Sequence, residues 1–536
     1  MTDDMLWRRL RAAGGTRRAF LALGGEFAGI MLLGTLPGCA QAGLRRPSAR
    51  RFSAYPFTLG VASGDPTATG VVLWTRLAPD PLHGGGMPPE RVPVRWEIAH
   101  DEQFRRVVQR GDAPAAPELA HSVHVEVEHL EPGRSYWYRF IVGGETSPVG
   151  RARTAPASGA AVDRLAFAFV SCQNYQAGHF TAYRHLARED VAAVVHLGDY
   201  IYEGGVDPNA PRQHNSPKIL TLADYRNRYA LYKGDAELQA AHAICPWIVT
   251  WDDHEVENDY AGATSERSVS PEAFLRQRAA AYQAYYEHLP LRRAAMPRGP
   301  DLRLYRRLRF GTLAEFNVLD TRQYRTDQPC GDGFHTSCGD AGDPNATLLG
   351  AAQERWLLDG LGQSPARWNV LANQVPFAPV ARRPQDASGA LGEPAFNMDK
   401  WDGYVAQRRR VIGHLRDRRT ANPIVLTGDV HQSWVADIPS AVDDPTSAPL
   451  GAEFVGTSIS SGGNGRETNP AGAEILALNS HVKFYNAQRG YVRCTVTPQQ
   501  WTSDYRVVDF VNRPGAEVRT AASFGVEAGR PGVQRL

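Results

Sequence analysis

Six times along the later two-thirds of this chain, an apolar run stops on side chains able to bind a metal or a proton. Leu165-Ala-Phe-Ala-Phe-Val ends in Ser171-Cys172-Gln173-Asn174, and Val191-Ala-Ala-Val-Val-His-Leu ends in Gly198-Asp199-Tyr200-Ile201-Tyr202. Cys245-Pro-Trp-Ile-Val-Thr-Trp ends in Asp252-Asp253-His254, and Glu315-Phe-Asn-Val-Leu ends in Asp320. Trp368-Asn-Val-Leu-Ala ends in Asn373-Gln374, and Ile424-Val-Leu-Thr ends in Gly428-Asp429-Val430-His431. Short apolar runs alternating with helical stretches predict an α/β domain over residues 164–510. In such sheets ligands bind at the carboxyl ends of the strands. A single Asp after a strand is ordinarily a turn or a helix cap. Six such ends in one domain, four of them pairing unlike donors, point instead to one shared site.

The region before that domain has a different period. Val71-Val-Leu-Trp-Thr, Val92-Pro-Val-Arg-Trp-Glu-Ile, His121-Ser-Val-His-Val-Glu-Val and Ser135-Tyr-Trp-Tyr-Arg-Phe-Ile-Val alternate with period two between Gly, Pro and Asp turns. This spacing predicts an N-terminal all-β sandwich over residues 57–154. Leu130-Glu-Pro-Gly-Arg-Ser-Tyr136-Trp-Tyr138 resembles the tyrosine corner of a fibronectin-type strand. Its histidines, His83, His121, His124 and His129, are expected at the surface rather than as ligands. Ala155-Pro-Ala-Ser-Gly-Ala-Ala is the linker.

Residues 1–42 read as an export signal. Thr16-Arg17-Arg18-Ala19-Phe20-Leu21 carries the twin-arginine pattern before a weakly apolar stretch. The signal has two candidate ends, a lipoprotein-like box at Cys39 and a small-x-small site at Ala40-Gln41-Ala42. The expected location is therefore periplasmic, secreted or lipid-anchored, with the twin-arginine machinery as a partner. In an oxidising compartment Cys330 and Cys338, both in a Gly-rich loop, are spaced for a disulfide. Cys245 and Cys494 fall in apolar runs and read as buried core.

Charge excludes one class of function. Lys plus Arg number 59 against 57 for Asp plus Glu, a net charge of +2 over 536 residues. No basic excess is available for a nucleic-acid surface, so an anionic ligand must be held locally. The donors at the strand ends suggest how. Thiolate and phenolate, from Cys172 and Tyr202, suit trivalent iron; carboxylate and amide oxygens, from Asp199, Asp252, Asp253, Asp429 and Asn373, suit harder divalent ions. A set this mixed implies more than one metal, with Asp199 placed to bridge. Two such ions can clamp a phosphoryl group and activate water.

As a set, these motifs resemble the calcineurin-like metallophosphatases, and more closely the PhoD family of alkaline phosphatases and phosphodiesterases. The residues carrying the resemblance are Phe57-Thr-Leu-Gly-Val-Ala-Ser-Gly-Asp-Pro, Ser171-Cys-Gln-Asn, Gly198-Asp-Tyr-Ile-Tyr-Glu, Thr250-Trp-Asp-Asp-His-Glu, Leu319-Asp-Thr-Arg-Gln-Tyr-Arg and Gly428-Asp-Val-His. The resemblance implies a four-layer αββα metallophosphatase sandwich following the fibronectin-like domain. It implies Fe3+ held by Cys172, Asp199 and Tyr202 with Asp429 or His431. Two Ca2+ ions are implied beside it, held by Asp253, Asn373 and the shared Asp199, with Asp252. His254 is implied as the group that contacts phosphate and protonates the leaving alkoxide. The implied activity is hydrolysis of phosphomonoesters, with phosphodiesterase activity, by metal-activated hydroxide attack on phosphorus in an exported monomer.

A phospholipase-D-like phosphodiesterase is the alternative within the same chemistry. A non-enzymatic binding protein holding structural calcium is the alternative outside it, and it leaves the Cys and Tyr donors without a purpose. Asn258, Asp259 and Asp320 are expected as caps or as support behind the ligands, and Arg322 and Arg325 as either phosphate contacts or salt bridges. His179, His185, His196 and His242 read as satisfied structural residues. The Gly/Arg-rich tail after Asp509 has no helical period that would make a lid.

Overall fold

A computed structural model of the chain describes residues 52–384 and 391–536, so the expected export signal and Cys39 lie outside the described residues. Two mixed sheets organise the rest. At the centre of a ten-stranded sheet run three parallel strands, Leu165–Val170, Val194–His196 and Pro246–Val249. Val170 pairs with His196 and His196 with Val249, so the three strands end level. The residues after them, Ser171-Cys172, Gly198-Asp199 and Asp252-Asp253, therefore leave the sheet on one edge. A seven-stranded sheet repeats the arrangement with Ala314–Val318, Trp368–Ala372, Pro423–Thr427 and Asp444–Val455 in parallel.

The alternation along each strand decides what packs where. Phe167, Phe169, Val195 and Ile248 from the first sheet share one core with Phe316, Val370, Leu426 and Phe454 from the second. The intervening residues Ala168, Val170, Val194, Trp247 and Val249 pack instead with Tyr183, Tyr225, Tyr229, Leu238 and Tyr282. These come from helices Thr181–Leu186, Leu222–Lys233, Ala236–Ala243 and Pro271–His288. On the second sheet Leu371 and Val425 pack with Leu357 of helix Gly350–Gln363 and Val411 of helix Val405–Asp417. Both faces of each central strand are thus apolar, which is why the sequence shows continuous rather than alternating runs.

Helix Pro271–His288 shows how local signals place the site. Ser270 accepts from the Ala273 N–H and Pro occupies the first turn, so the start is capped. Phe274, Ala281, Tyr282 and Tyr285 recur at helical spacing on the buried face. Tyr282 stacks on Trp251 with centroids 4.0 Å apart, which fixes the residue just before Asp252.

The topology amends two boundaries. Val61–Gly64, Val71–Arg76 and Ser122–Val127 join the ten-stranded sheet, the first of them parallel to Pro246–Val249. The remaining N-terminal strands form a separate five-stranded sheet, and Val94, Tyr138 and Phe140 from it share a core with Val71, Leu73 and Val123. Beyond residue 510, Val518–Glu527 and Arg530–Arg535 extend the large sheet antiparallel. Burial of Ala522, Phe524 and Val526 explains why: the tail has a strand period. Among the described residues no helix follows Pro470–Leu478.

Cys330 and Cys338 are disulfide-bonded with Cα atoms 6.0 Å apart, and Cys172, Cys245 and Cys494 are buried free thiols. His83 and His129 are exposed, but His121 and His124 are buried, contrary to expectation. The ring of His124 stacks on Tyr286 at 4.4 Å. The expected surface position failed because these two residues lie in or beside a strand that joins the large sheet.

Candidate active site

Each of the two Gly-Asp turns at the strand ends is enforced by crowding. A side chain at Gly198 would meet the Asp252 Cβ at 2.5 Å, and one at Gly428 would meet the Ser171 Oγ at 2.6 Å. The residues that follow carry unusual backbone. Cys172, Asp199, Asp429 and His431 have φ of 58°, 57°, 66° and 56°, the left-handed region that non-glycine residues rarely occupy. Such conformations cost of order 1–3 kcal/mol each and persist where the surroundings enforce them. Glu255 supplies part of that enforcement. Its carboxylate accepts from the backbone N–H groups of Asp199, Tyr200 and Asp252 at 3.1, 2.6 and 2.9 Å, tying two strand ends together.

The side chains so aimed converge. Donor atoms of Cys172, Asp199 and His431 lie within 4.8 Å of one another, as do those of Asp199, Asp253 and His254. Asp199 belongs to both groups. The Tyr202 O–H donates to Asp199 Oδ2 at 2.9 Å and lies 3.1 Å from His431 Nε2. The Ser461 hydroxyl reaches Tyr202 Oη at 2.7 Å. His254 sits over Tyr202 with ring centroids 4.1 Å apart, and its Nδ1 is 2.8 Å from Glu203 Oε2. That leaves His254 Nε2 as the nitrogen free to act.

The other side of the cluster is rich in ion pairs. Arg322, fully buried, donates from Nε to Asp252 at 2.5 Å and from its two terminal nitrogens to Asp399 at 2.7 and 2.9 Å. It also lies 3.7 Å from Asp253. Arg325 donates to Asp399 at 2.6 Å. Lys400 Nζ is 3.1 Å from Asp399 and 2.6 Å from Asp429 Oδ2, although the latter approach is not aligned as a hydrogen bond. Arg322 and Arg325 are therefore salt-bridge residues. Asp320 caps its own turn, accepting from the N–H groups of Arg322 and Gln323 at 3.1 and 3.0 Å.

Burial and crowding shift most of these groups. Burial, then neighbouring carboxylates, raise Asp199 well above the carboxylate range and Asp252 to about 7. Burial and Asp399 raise Asp259 to about 9. Burial and the Asp199 charge push the Cys172 thiol and the Tyr202 phenol up. Burial, aided by Arg489, lowers His431 to about 3. Asp253 goes the other way: against its burial, Arg322 and His254 hold it below the usual range. Burial opposes charge on His254 too, but Asp253, Glu203 and Asp199 raise it well above an ordinary histidine.

Among the described residues, two carboxylate oxygens in this cluster, Asp199 Oδ1 and Asp252 Oδ2, are buried without a partner, and Asp429 Oδ2 faces only the Lys400 ammonium. A buried anionic oxygen without a partner is costly. A donor set combining a thiol, a phenol, an imidazole and unpartnered carboxylates is what cations would satisfy. Asn373 fits less directly. Its Oδ1 accepts from the Trp401 indole at 3.2 Å and its amide donates to the Val375 carbonyl, so both ends are in use.

Several residues around the site had no assigned role in the sequence. Glu203 and Glu255 each directly follow a motif residue, so their signal was adjacency. Asp399 and Lys400 come from a loop with no strand-end signal. His196 and His242, expected to be satisfied, each keep one ring nitrogen without a partner.

Set beside known proteins, this fold and site define a class: the chain is a phosphatase, a hydrolase of phosphoric esters. More particularly, it belongs to the PhoD-like phosphatase family, whose model matches residues 167–505. The family's N-terminal domain model matches residues 38–156. The chain is similar to alkaline phosphatase D of Bacillus subtilis (strain 168), 53% identical over 525 residues, 97% of this chain and 89% of that protein. It is also similar to the solved structure of PhoD, with a TM-score of 0.87 at 54% identity, covering 91% of this chain and 93% of that one.

Proposed function

We propose that the strand-end cluster hydrolyses phosphomonoesters at alkaline pH, with phosphodiesterase activity, in an exported monomer. The observation that carries the reading is the two unpartnered carboxylate oxygens, Asp199 Oδ1 and Asp252 Oδ2, beside the His254–Glu203 pair, in a chain of this family. Cys172, Asp199 and Tyr202 with His431 would hold Fe3+; Asp252, Asp253 and Asp429, with Asn373 at the margin, would hold Ca2+. When bound, such ions supply Lewis acidity, drawing charge from phosphoryl oxygens and making water acidic enough to yield hydroxide. The remaining work falls to side chains. Glu203 accepts from His254 Nδ1 and so favours the doubly protonated ring, whose Nε2 proton is the one that can pass to the departing alkoxide. Glu203, which is not among the proposed ligands, is the carboxylate left to favour that proton. Tyr202, held by Ser461, fixes the plane of the His254 ring.

The layering of helices outside two sheets supports a four-layer αββα sandwich, and the five-stranded sheet supports a fibronectin-like N-terminal domain that shares three strands of its expected span with the ten-stranded sheet. The twin-arginine pattern supports export to the periplasm, the medium or a lipid anchor.

The test is Asp199→Asn. It keeps the shape of the side chain and removes the charge shared by both donor groups. The expected result is a loss of about 10²–10³ in kcat on a chromogenic phosphomonoester. Iron and calcium content, and the visible absorbance of an iron–phenolate pair, should fall with it. A folded variant with full activity overturns the reading.

A further inference from the structure

Two charges reach the cluster from a loop rather than from a strand end. Asp399 receives Arg322 and Arg325, and Lys400 approaches Asp429 at 2.6 Å. A second loop, closed by Cys330–Cys338, holds the segment that carries them. Phe334 pairs with Asn397 and His335 with Phe396 in a two-stranded ladder. The Met398 N–H donates to the Gly333 carbonyl at 2.9 Å. Gln328, two residues before the disulfide, donates from Nε2 to Asp399 Oδ1 at 2.8 Å. The ladder is two residues long, too short to persist by itself, and its Phe334–His335 strand lies inside the ring that the disulfide closes. Cys330 is exposed, so a reductant can reach it.

We propose that the Cys330–Cys338 disulfide is a positioning clamp for Asp399 and Lys400, and that its reduction by a dithiol disarms the site. The proposal rests on reading the strand-end cluster as the active site. In the reduction one thiolate of the dithiol attacks one sulfur of the pair. Its second thiol then resolves the mixed disulfide, leaving Cys330 and Cys338 as thiols and the reagent as a cyclic disulfide. Two electrons and two protons pass to the protein. The freed loop releases the ladder, and the Asp399–Lys400 segment keeps only its remaining tethers. A phosphatase built this way is fully assembled only under oxidising conditions.

The experiment compares the wild-type enzyme with Cys330→Ser/Cys338→Ser, each with and without dithiothreitol, with metal content measured in all four samples. A dithiol can also act on bound ions and on Cys172, and the double variant isolates that effect. Hydrogen exchange should speed up about tenfold or more at residues 396–400 in the reduced wild type and in the variant, while strand Leu165–Val170 is unchanged. The kcat should fall about tenfold at equal metal content with KM moving less than twofold, and reoxidation should restore the wild type alone. A double variant with wild-type kcat overturns the proposal, whether or not its exchange is faster. If neither protein hydrolyses phosphate esters the active-site reading fails, and unaltered exchange at 396–400 would then separately remove the clamp.

Discussion

Arg322 and Lys233 are both cations buried beyond the reach of water, at 0% and 1% exposure, and the fold treats them in opposite ways. Arg322 stands among Asp252, Asp253 and Asp399, and its charge is reinforced by each. Lys233 ends helix Leu222–Lys233 with its Nζ 4.0 Å above the Trp74 ring and no hydrogen-bond partner. Desolvation alone drives its pKa well down. His242 and His288 nearby are likewise pushed down, first by burial. The strand-end cluster concentrates charge and balances it. The pocket under Trp74 disfavours charge by burial. Only the first arrangement can organise an anionic substrate, and substitutions can separate the two.

The largest effect is expected from Arg322→Met. Removing one partner of a buried ion pair leaves uncompensated charge, typically at a cost of about 3–5 kcal/mol. Here Asp399 would lose its bidentate partner and Asp252 its donor at 2.5 Å. Chemical denaturation of the metal-free protein should show the lower midpoint. A change below about 1 kcal/mol, the scale of an exposed pair, would mean that Arg322 does not carry the charge balance.

His254→Asn probes the proton-donor role proposed for the same cluster. A general acid matters most when the leaving group is a poor one. An alkyl phosphate should therefore lose about 10²–10³ in kcat, while an aryl phosphate with an acidic phenol loses less than about tenfold. Equal losses on both substrates would make His254 a positioning residue held by Glu203 rather than an acid.

Much of this cluster was legible because strand ends are marked twice, by the end of an apolar run and by the polar residue beyond it. Cys172, Asp199, Tyr202, Asp253, His254 and His431 all follow that rule, and the level registers of the sheet bring them together. Asp399 and Lys400 follow no such rule. Their position depends on a loop fastened by Gln328 and by the disulfide-closed ring, and a loop has no period to read. Lys233 was invisible for a related reason. At the last position of a helix a lysine looks like a solvated cap residue, and its burial comes from Trp74, far away in the sequence. The tail beyond residue 510 was legible in principle, since Ala522, Phe524 and Val526 alternate.

Lys233→Met gives the smallest effect and the most direct contrast, because it is read as a slope. An unfolded lysine titrates near pH 10.4, whereas the folded one titrates far lower. Between those values the unfolded chain binds a proton that the folded chain refuses. Stability must therefore rise with pH across that window, by about 1.4 kcal/mol per unit for one such group, and flatten once the unfolded lysine also loses its proton. The histidines beside it act only at lower pH, below about 6.5 where an unfolded histidine begins to charge. Methionine fills similar space against Trp74 without an amine to desolvate. The variant should be more stable than wild type at pH 8, and the gap should close steadily toward pH 10. Denaturation midpoints at half-unit intervals would record it. Parallel curves would mean that Lys233 keeps its charge in the fold, and the two buried cations would then be treated alike.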